Sequence, residues 1–280
     1  MPRIARALIV CATSGALATT SWSQGSPAPP SGVLINSRDL ALFAGATAMT
    51  AALSRFDVRI ARTFGDSSFH VRHPGFTAAA KRTSLMTETV LMLTGSGVWA
   101  IARLSHDRGT ADVAFHTTEA VASGAAFIQV IRGALGRARP YVIDEAGERR
   151  DADPYEFQLL HGFTSFNYRS FPSMHAMASF AAASALVQEM RVRHTPLRAE
   201  VAPLLYAAAA MPGLARMYLD EHWSTDIALG VFLGVFSGQK AVLYSHAHPN
   251  NRIDRRFLGP AGRIGIVGDA KGLRLMVSPF

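Results

Sequence analysis

Cysteine is almost absent from this chain, and its scarcity excludes several kinds of chemistry. The only cysteine among the 280 residues is Cys11, which lies in an apolar stretch near the N-terminus. A single thiol can form neither an internal disulfide nor a multi-cysteine metal centre. The sequence also contains no HExxH motif and no aspartate-rich cluster, so nothing in it indicates a metalloprotease.

Lysine is scarce too, and charged residues make up only 17% of the chain against 49% hydrophobic residues. This balance predicts a folded protein with a sizeable core and argues against disorder. Arginine supplies nearly all of the positive charge behind the formal net charge of +8. No basic run has interleaved aromatics, so we expect no nucleic-acid partner. Scattered arginines favour an anionic substrate, and a membrane surface is a further candidate partner.

Uncharged runs long enough to cross a bilayer are missing as well. Six apolar stretches in the body of the chain that lack both charged residues and histidine, such as 40–53 and 201–215, have 12 to 15 residues each. A membrane-spanning helix needs about 20 apolar residues, and shorter runs are typical of buried core helices. We therefore expect an exported protein, periplasmic or membrane-associated. An integral membrane protein is the alternative, because flanking charged side chains can snorkel.

The N-terminus is typical of an export signal. Arg3 and Arg6 precede an uncharged, largely apolar stretch at 7–20, and Ser21-Trp22-Ser23 resembles a cleavage site. We expect a signal peptide at 1–23 and a flexible, Pro/Ser/Gly-rich leader at 24–37. An uncleaved N-terminal anchor is the alternative.

The rest of the chain divides into a helical domain at 38–245 and a C-terminal tail at 246–280. Segments rich in Ala, Leu and Met, without strand-like alternation, predict an all-α helical bundle. The predicted helices lie at about 39–54, 88–103, 112–136, 175–190, 199–215 and 226–244. In the tail, 263–267 and 273–277 predict a small β-hairpin with a five-residue turn. His246 and His248 are interpreted as surface residues.

The most informative motif is Arg216-x5-His222-x3-Asp226. A histidine and an aspartate four residues apart share one face of a helix. The carboxylate can then hold the hydrogen of one imidazole nitrogen and leave the other nitrogen free as a base or nucleophile. The guanidinium just upstream suits phosphate oxygens.

A second motif, Arg132-x6-Arg139-Pro140, places two arginines seven residues apart. On a helix that Pro140 ends, both would lie on one face and would repel each other without an anion between them. The alternative is a solvated basic helix end, which the helix dipole favours.

The third motif is Pro172-Ser173-Met174-His175, which precedes an alanine-rich helix. Ser173 is placed as the N-cap, and the free N–H groups of a helix N-terminus can bind an anion. His175 would stand in the first turn, beside that anion. The alternative is an ordinary capped helix with an incidental histidine.

In order and spacing, the three motifs resemble those of the type 2 phosphatidic acid phosphatase and vanadium haloperoxidase superfamily. The resemblance spans about residues 88–240. The family pattern reads Lys-x6-Arg-Pro, Pro-Ser-Gly-His and Ser-Arg-x5-His-x3-Asp. This chain has Arg132 in place of the lysine, Met174 in place of the glycine and Ala215 in place of the serine. We expect Met174 to keep an ordinary backbone conformation, and Ala215 removes one hydroxyl donor.

The resemblance implies that His222 attacks phosphorus and forms a phosphohistidine, that Asp226 orients it, and that His175 moves protons. It further implies that Arg132, Arg139, Arg216, Ser173 and Met174 bind the phosphate. The implied enzyme is a phosphomonoesterase without metal or cofactor, acting on a lipid phosphate, an isoprenyl diphosphate or a small phosphoester. One alternative is a haloperoxidase, which would hold vanadate in the same cage. The other is a non-catalytic phosphate-binding protein, and the complete set of two histidines and one aspartate argues against it.

Overall fold

The computed structural model describes residues 35–65, 67–248 and 251–259, and the backbone of two strands beyond them. The predicted signal peptide and most of the predicted leader lie outside these residues. The helices are α1 Ser37–Leu53, α2 Asp57–Phe64, α3 Ser67–Arg72, α4 Pro74–Thr83, α5 Glu88–Leu104, α6 Arg108–Leu135, α7 Met174–Val192, α8 Arg198–Tyr218, α9 Ser224–Ala247 and α10 Arg252–Phe257. The strands are β1 Tyr141–Ile143, β2 Arg149–Asp151, β3 Arg263–Asp269 and β4 Gly272–Ser278, paired as two antiparallel hairpins.

The prediction of an all-α bundle is confirmed, and each of the six predicted helices is present. They correspond to α1, α5, α6, α7, α8 and α9, with ends within about four residues of those expected. The short helices α2 to α4 and the β1–β2 hairpin were not predicted, because segments of three to ten residues carry little periodicity. The helical body also continues beyond 245, since α9 ends at Ala247 and α10 follows.

Two local expectations are wrong. The C-terminal hairpin pairs as far as Asp269 with Gly272, so two residues, and not five, connect its strands. The helix that carries Arg132 stops at Leu135, so Arg139 does not share its face. Gly136 ends it, with a left-handed backbone (φ 59°) and no room for a side chain, because a Cβ there would lie 1.8 Å from a backbone oxygen.

The core is built where α6, α7 and α9 pack together, with α1 against one side. Its central side chains are apolar and almost fully buried, among them Val121, Ile128, Met177 and Leu233. α9 approaches α7 especially closely through glycines at 230, 234 and 238. A Cβ added at any of the three would lie 2.4–2.6 Å from a backbone oxygen of the α7 segment. Because glycine has no side chain, the two backbones come into contact, and this contact fixes the relative position of the N-terminal ends of α7 and α9.

Among the described residues, α9 is long and apolar enough by length and composition to cross a membrane, and 39% of its most apolar stretch is buried within the fold. α4 and α5 together reach the same threshold but are bent by 57° between them.

The close contact of α7 and α9 can be tested with Gly234→Ala. We expect the free energy of unfolding to fall by about 1–3 kcal/mol, because the new methyl group would collide with the carbonyl of Met177. Gly97→Ala in α5 is the matched control, since its Cβ meets nothing within 4 Å; it should be stabilising by about 0.5–1 kcal/mol. Equal effects of the two substitutions on thermal unfolding would contradict this account.

Candidate active site

His222 and Asp226 meet at the start of α9, but His222 is not part of the helix. α8 ends at Tyr218, and Asp220, with φ 57°, turns the chain before α9 begins at Ser224. The prediction that the two residues share a helical face is therefore wrong, although the pairing is present: His222 Nδ1 lies 3.4 Å from Asp226 Oδ2. An ionised carboxylate only accepts hydrogen bonds, so Nδ1 carries the hydrogen. Nε2 then keeps the lone pair that a nucleophile needs.

The Asp226 carboxylate is fully buried and is held by several donors. Its Oδ2 accepts hydrogen bonds from the backbone N–H of Trp223 at 2.8 Å and from the hydroxyl of Ser170. Its Oδ1 accepts from Arg137 Nη1 at 2.6 Å. These contacts fix the carboxylate, and through it the ring of His222.

Arg137 lies between the first two arginine positions of the motif and is itself outside the pattern. Its guanidinium is buried and bridges two buried carboxylates, with Nη1 at 2.6 Å from Asp226 and Nη2 at 2.8 Å from Asp57. It also donates to the hydroxyl of Thr225 and to the carbonyl of Pro154, both at 2.8 Å. A buried charge is tolerated only when it is paired and hydrogen-bonded in this way.

His175 stands in the first turn of α7, as predicted, and its ring centroid is 6.5 Å from that of His222. Its Nε2 lies 3.1 Å from the carbonyl oxygen of Ser84. A carbonyl only accepts, so Nε2 carries the hydrogen in this arrangement. Ser173 is the N-cap, with its Oγ accepting from the backbone N–H of Ala176 at 3.4 Å.

Both histidines are neutral near pH 7. Burial lowers the pKa of His222 to about 4; Asp226 opposes the shift, while the charges of Arg139 and Arg216 add to it. Burial, Arg216 and His222 lower the pKa of His175 to about 3. A neutral His222 is the form that can act as a nucleophile. An anion that neutralised the two arginines would raise the pKa of His175 and so help it to carry a proton.

Arg139 and Arg216 converge on one carboxylate, that of Glu221. Glu221 forms an ion pair with Arg139 Nη1 and another, at 2.9 Å, with Arg216 Nη2. Burial lowers the pKa of Arg139 to about 10, and the charge of Glu221 opposes this. The Nε of Arg216 is buried and has no hydrogen-bond partner among the described residues. The two guanidiniums therefore already form a site for one anionic group beside His222.

The remaining predicted residues border this site. Arg132 is near enough to lower the pKa of Arg139, but its Nε donates to Gln129 Oε1 at 2.8 Å. Met174 is buried and is the first residue of α7, so its backbone is helical. Ala215, where the family pattern has serine, packs in an apolar cluster of α4 and α8.

Three residues of the site were missed by reasoning from the sequence: Asp57, Arg137 and Glu221. Arg137 could have been noticed, because the run Arg137-Ala138-Arg139 places an additional arginine beside the motif. Glu221 could also have been noticed as an acid directly before His222. Asp57 is 80 residues before Arg137, and no local pattern marks it as a partner.

Known proteins resemble this chain in sequence and in fold. The family model of the PAP2 superfamily matches residues 114–251, a range that contains all three motifs. The fold is similar to the crystal structure of a transmembrane PAP2-type phosphatidylglycerolphosphate phosphatase from Bacillus subtilis, with a TM-score of 0.53 and 18% identity over 76% of this chain and 97% of that one. The search of curated proteins found no match. The chain belongs to the PAP2 superfamily, as its motifs predict.

The carboxylate of Glu221 is paired with the two guanidiniums that a phosphate would need, so Glu221 competes with anionic ligands. We expect Glu221→Gln to bind orthovanadate about tenfold more tightly, about 1.4 kcal/mol, because a neutral amide competes weakly for the guanidiniums. Glu156→Gln, which removes an acid from an exposed pair with Arg150, should leave vanadate binding unchanged. Weaker binding by Glu221→Gln in a titration would mean that the carboxylate supports the cage instead of competing for it.

Proposed function

We propose that this protein is a phosphatase that hydrolyses phosphate monoesters through a phosphohistidine on His222, with no metal in the catalytic step. One observation carries the proposal. A buried, carboxylate-oriented imidazole lies beside two guanidiniums that converge on a single anionic group. Phosphoryl transfer requires an oriented nucleophile and paired cations, because its catalysis depends on positioning and on stabilisation of charge.

In the first step, the Nε2 lone pair of His222 attacks phosphorus. The P–N bond forms as the bond to the leaving oxygen breaks. His175 takes up a proton when the bound anionic phosphate raises its pKa, and it gives that proton to the leaving oxygen. Asp226 holds the Nδ1–H and stabilises the positive ring. In the second step, His175 takes a proton from water, the water oxygen attacks phosphorus, and the P–N bond breaks to release phosphate. His175 and His222 return to their starting states.

The arginines stabilise the charge on the transferring phosphoryl group in both steps. Arg139 and Arg216 would exchange Glu221 for the phosphoryl oxygens, and the unpartnered Nε of Arg216 offers a further donor. Arg132, now hydrogen-bonded to Gln129, would turn toward the substrate. Ser173 and the backbone N–H of Met174 would supply neutral donors at the start of α7.

The mechanism predicts separable defects in the two histidines. His222→Ala should lose at least about a thousandfold in kcat/KM, because it lacks the nucleophile. His175→Asn should still form phosphohistidine from a substrate with a good leaving group, such as p-nitrophenyl phosphate, and should accumulate it. Rapid quenching with a radiolabelled phosphate ester, in EDTA, measures both. His161→Ala, at an exposed position, is the control for folding.

Loss of wild-type activity on chelation, at a temperature where the chelated protein remains folded, would contradict the mechanism, as would an active His222→Ala enzyme.

An apolar cavity beside the site supports an amphiphilic substrate, either a lipid phosphate or an isoprenyl diphosphate. The cavity measures about 290 Å³, and α4 and α8 contribute Phe76, Met211, Leu214 and Ala215 to its lining. It adjoins the catalytic residues at two points. Ala215 precedes Arg216, and the lining residue Thr83 precedes Ser84, whose carbonyl binds His175. Alanine in place of serine keeps this wall apolar.

Exposed apolar side chains support association with a membrane. Along α5 they recur at Val90, Leu93, Val98, Ile101 and Leu104, a spacing that places them on one helical face. An exposed apolar stripe of this length is typical of a surface that contacts lipid or another protein. The similar fold of a transmembrane phosphatase agrees with contact to lipid.

The substrate class can be tested by placing a charge in the cavity. Met211→Glu should lower kcat/KM for a long-chain phosphate about tenfold and should change p-nitrophenyl phosphate hydrolysis less than about twofold, because only the long chain needs the cavity. Leu204→Glu is the matched control, an exposed position two turns earlier on α8 that does not line the cavity. Equal effects of Met211→Glu on both substrates would favour a small soluble phosphoester.

A further inference from the structure

A second cluster of ionisable side chains lies at the opposite end of the bundle from His222. It combines His116 of α6, Glu189 of α7 and His246 of α9, whose ligand atoms all lie within 4.8 Å of one another. Glu189 follows His175 by 14 residues on the same helix, so it stands about 21 Å from the catalytic end. The phosphatase mechanism makes no use of this cluster.

The distances within the cluster are close to those of a metal site. Glu189 Oε1 lies 2.5 Å from His116 Nδ1, and the two Glu189 oxygens lie 3.1 and 3.2 Å from His246 Nε2. Tetrahedral zinc has ligand bonds of about 2.0–2.2 Å, which places its ligand atoms about 3.3 Å apart. The His246 distances already fit, and His116 would need to move by less than about 1 Å.

Two buried polar atoms near the cluster have no hydrogen-bond partner among the residues described: His116 Nε2 and Glu119 Oε2. His116 is 4% exposed, and its Nε2 lies 3.8 Å from Asp254 Oδ2. A metal-bound histidine commonly donates its other ring N–H to a carboxylate. His116 is oriented for that arrangement, with Nδ1 toward Glu189 and Nε2 toward Asp254.

The charge of the cluster also calls for a cation. Glu189 and Asp254 are buried beside His116 and supply the negative charge, whereas burial raises the pKa of the half-buried Glu119 and favours its neutral form. Arg193 donates to Glu189 at 2.7 Å, but it is also paired with Asp112 at 3.6 Å. It therefore offsets only part of a negative charge whose burial is unfavourable. A divalent ion would cancel the remainder.

We propose that His116, Glu189 and His246 bind one divalent transition-metal ion of the zinc class, and that Asp254 orients His116 from behind. Two imidazoles and one carboxylate are a ligand set that zinc accepts, with water in the fourth position. The site would fasten the ends of α6, α7 and α9 away from the catalytic end. The ion enters from solvent past His246, whose side chain is 32% exposed. His246 is exposed, as the sequence predicts, and the proposal gives this surface residue a role.

The site can be tested with the full chain stripped by a chelator and titrated with Zn²⁺ or Co²⁺. We expect one ion per chain by elemental analysis, visible Co²⁺ absorption typical of a four-coordinate site, and a midpoint of thermal unfolding raised by about 5 °C or more at saturating Zn²⁺. His246→Ala should lose all three responses. His248→Ala, at a partly buried histidine two residues away that bonds the carbonyl of Tyr244, should keep them.

A positive control guards against a variant that fails to fold. His246→Cys retains a ligand and should give a Co²⁺–thiolate charge-transfer band that the wild-type chain lacks, which requires contact between residue 246 and the metal. Absence of binding to the wild-type chain would overturn the proposal. Equal binding by His246→Ala, or loss of binding in His248→Ala, would also overturn it.

Discussion

The architecture of the site depends on the ion pairs that the buried guanidinium of Arg137 forms. It holds Asp57 at the start of α2 and Asp226 at the start of α9 in one ion-paired unit. Rings of Phe157, Phe171 and Trp223 lie 5.6–5.8 Å from it. Loss of Arg137 would leave two buried carboxylates without their cation, at a penalty of about 3–5 kcal/mol. The orientation of His222 therefore depends on the ion pair between Arg137 and Asp226, because Arg137 holds the carboxylate that orients the ring.

Helices and chemical motifs could be predicted from the sequence because both are local. Six long segments rich in alanine and leucine become helices, and the Ser173 cap begins α7 where its serine predicts. The same reasoning failed where a turn mattered. Gly136 and Asp220 adopt left-handed backbone conformations that end helices near Arg139 and His222. Spacing on an ideal helix predicted the His222–Asp226 pairing correctly but for the wrong reason, since a turn brings the two residues together.

Long-range electrostatic partners could not be predicted. Asp57 and Arg137 are brought together by packing of α2 against the start of α9, and Glu189 meets His116 across two helices. The partners are 80 and 73 residues apart in the sequence, so no local pattern marks them as pairs. Glu221 is different, because it is adjacent to His222 in the chain. Its role depends on where its carboxylate points, and only the positions of Arg139 and Arg216 reveal that it lies between them.

The glycine contact between α7 and α9 has a consequence for how such a site can diverge. His175 is carried at the start of one helix and Asp226 at the start of the other, and the backbone N–H of Ser173 donates directly to the carbonyl of Asp226 at 3.0 Å. The separation between His175 and Asp226 is thus set by main-chain atoms in contact. Side chains elsewhere in the bundle can be exchanged without changing this separation. Related proteins can therefore differ in their surface, their cavity and their exposed apolar face while the starts of the two helices keep the same distance.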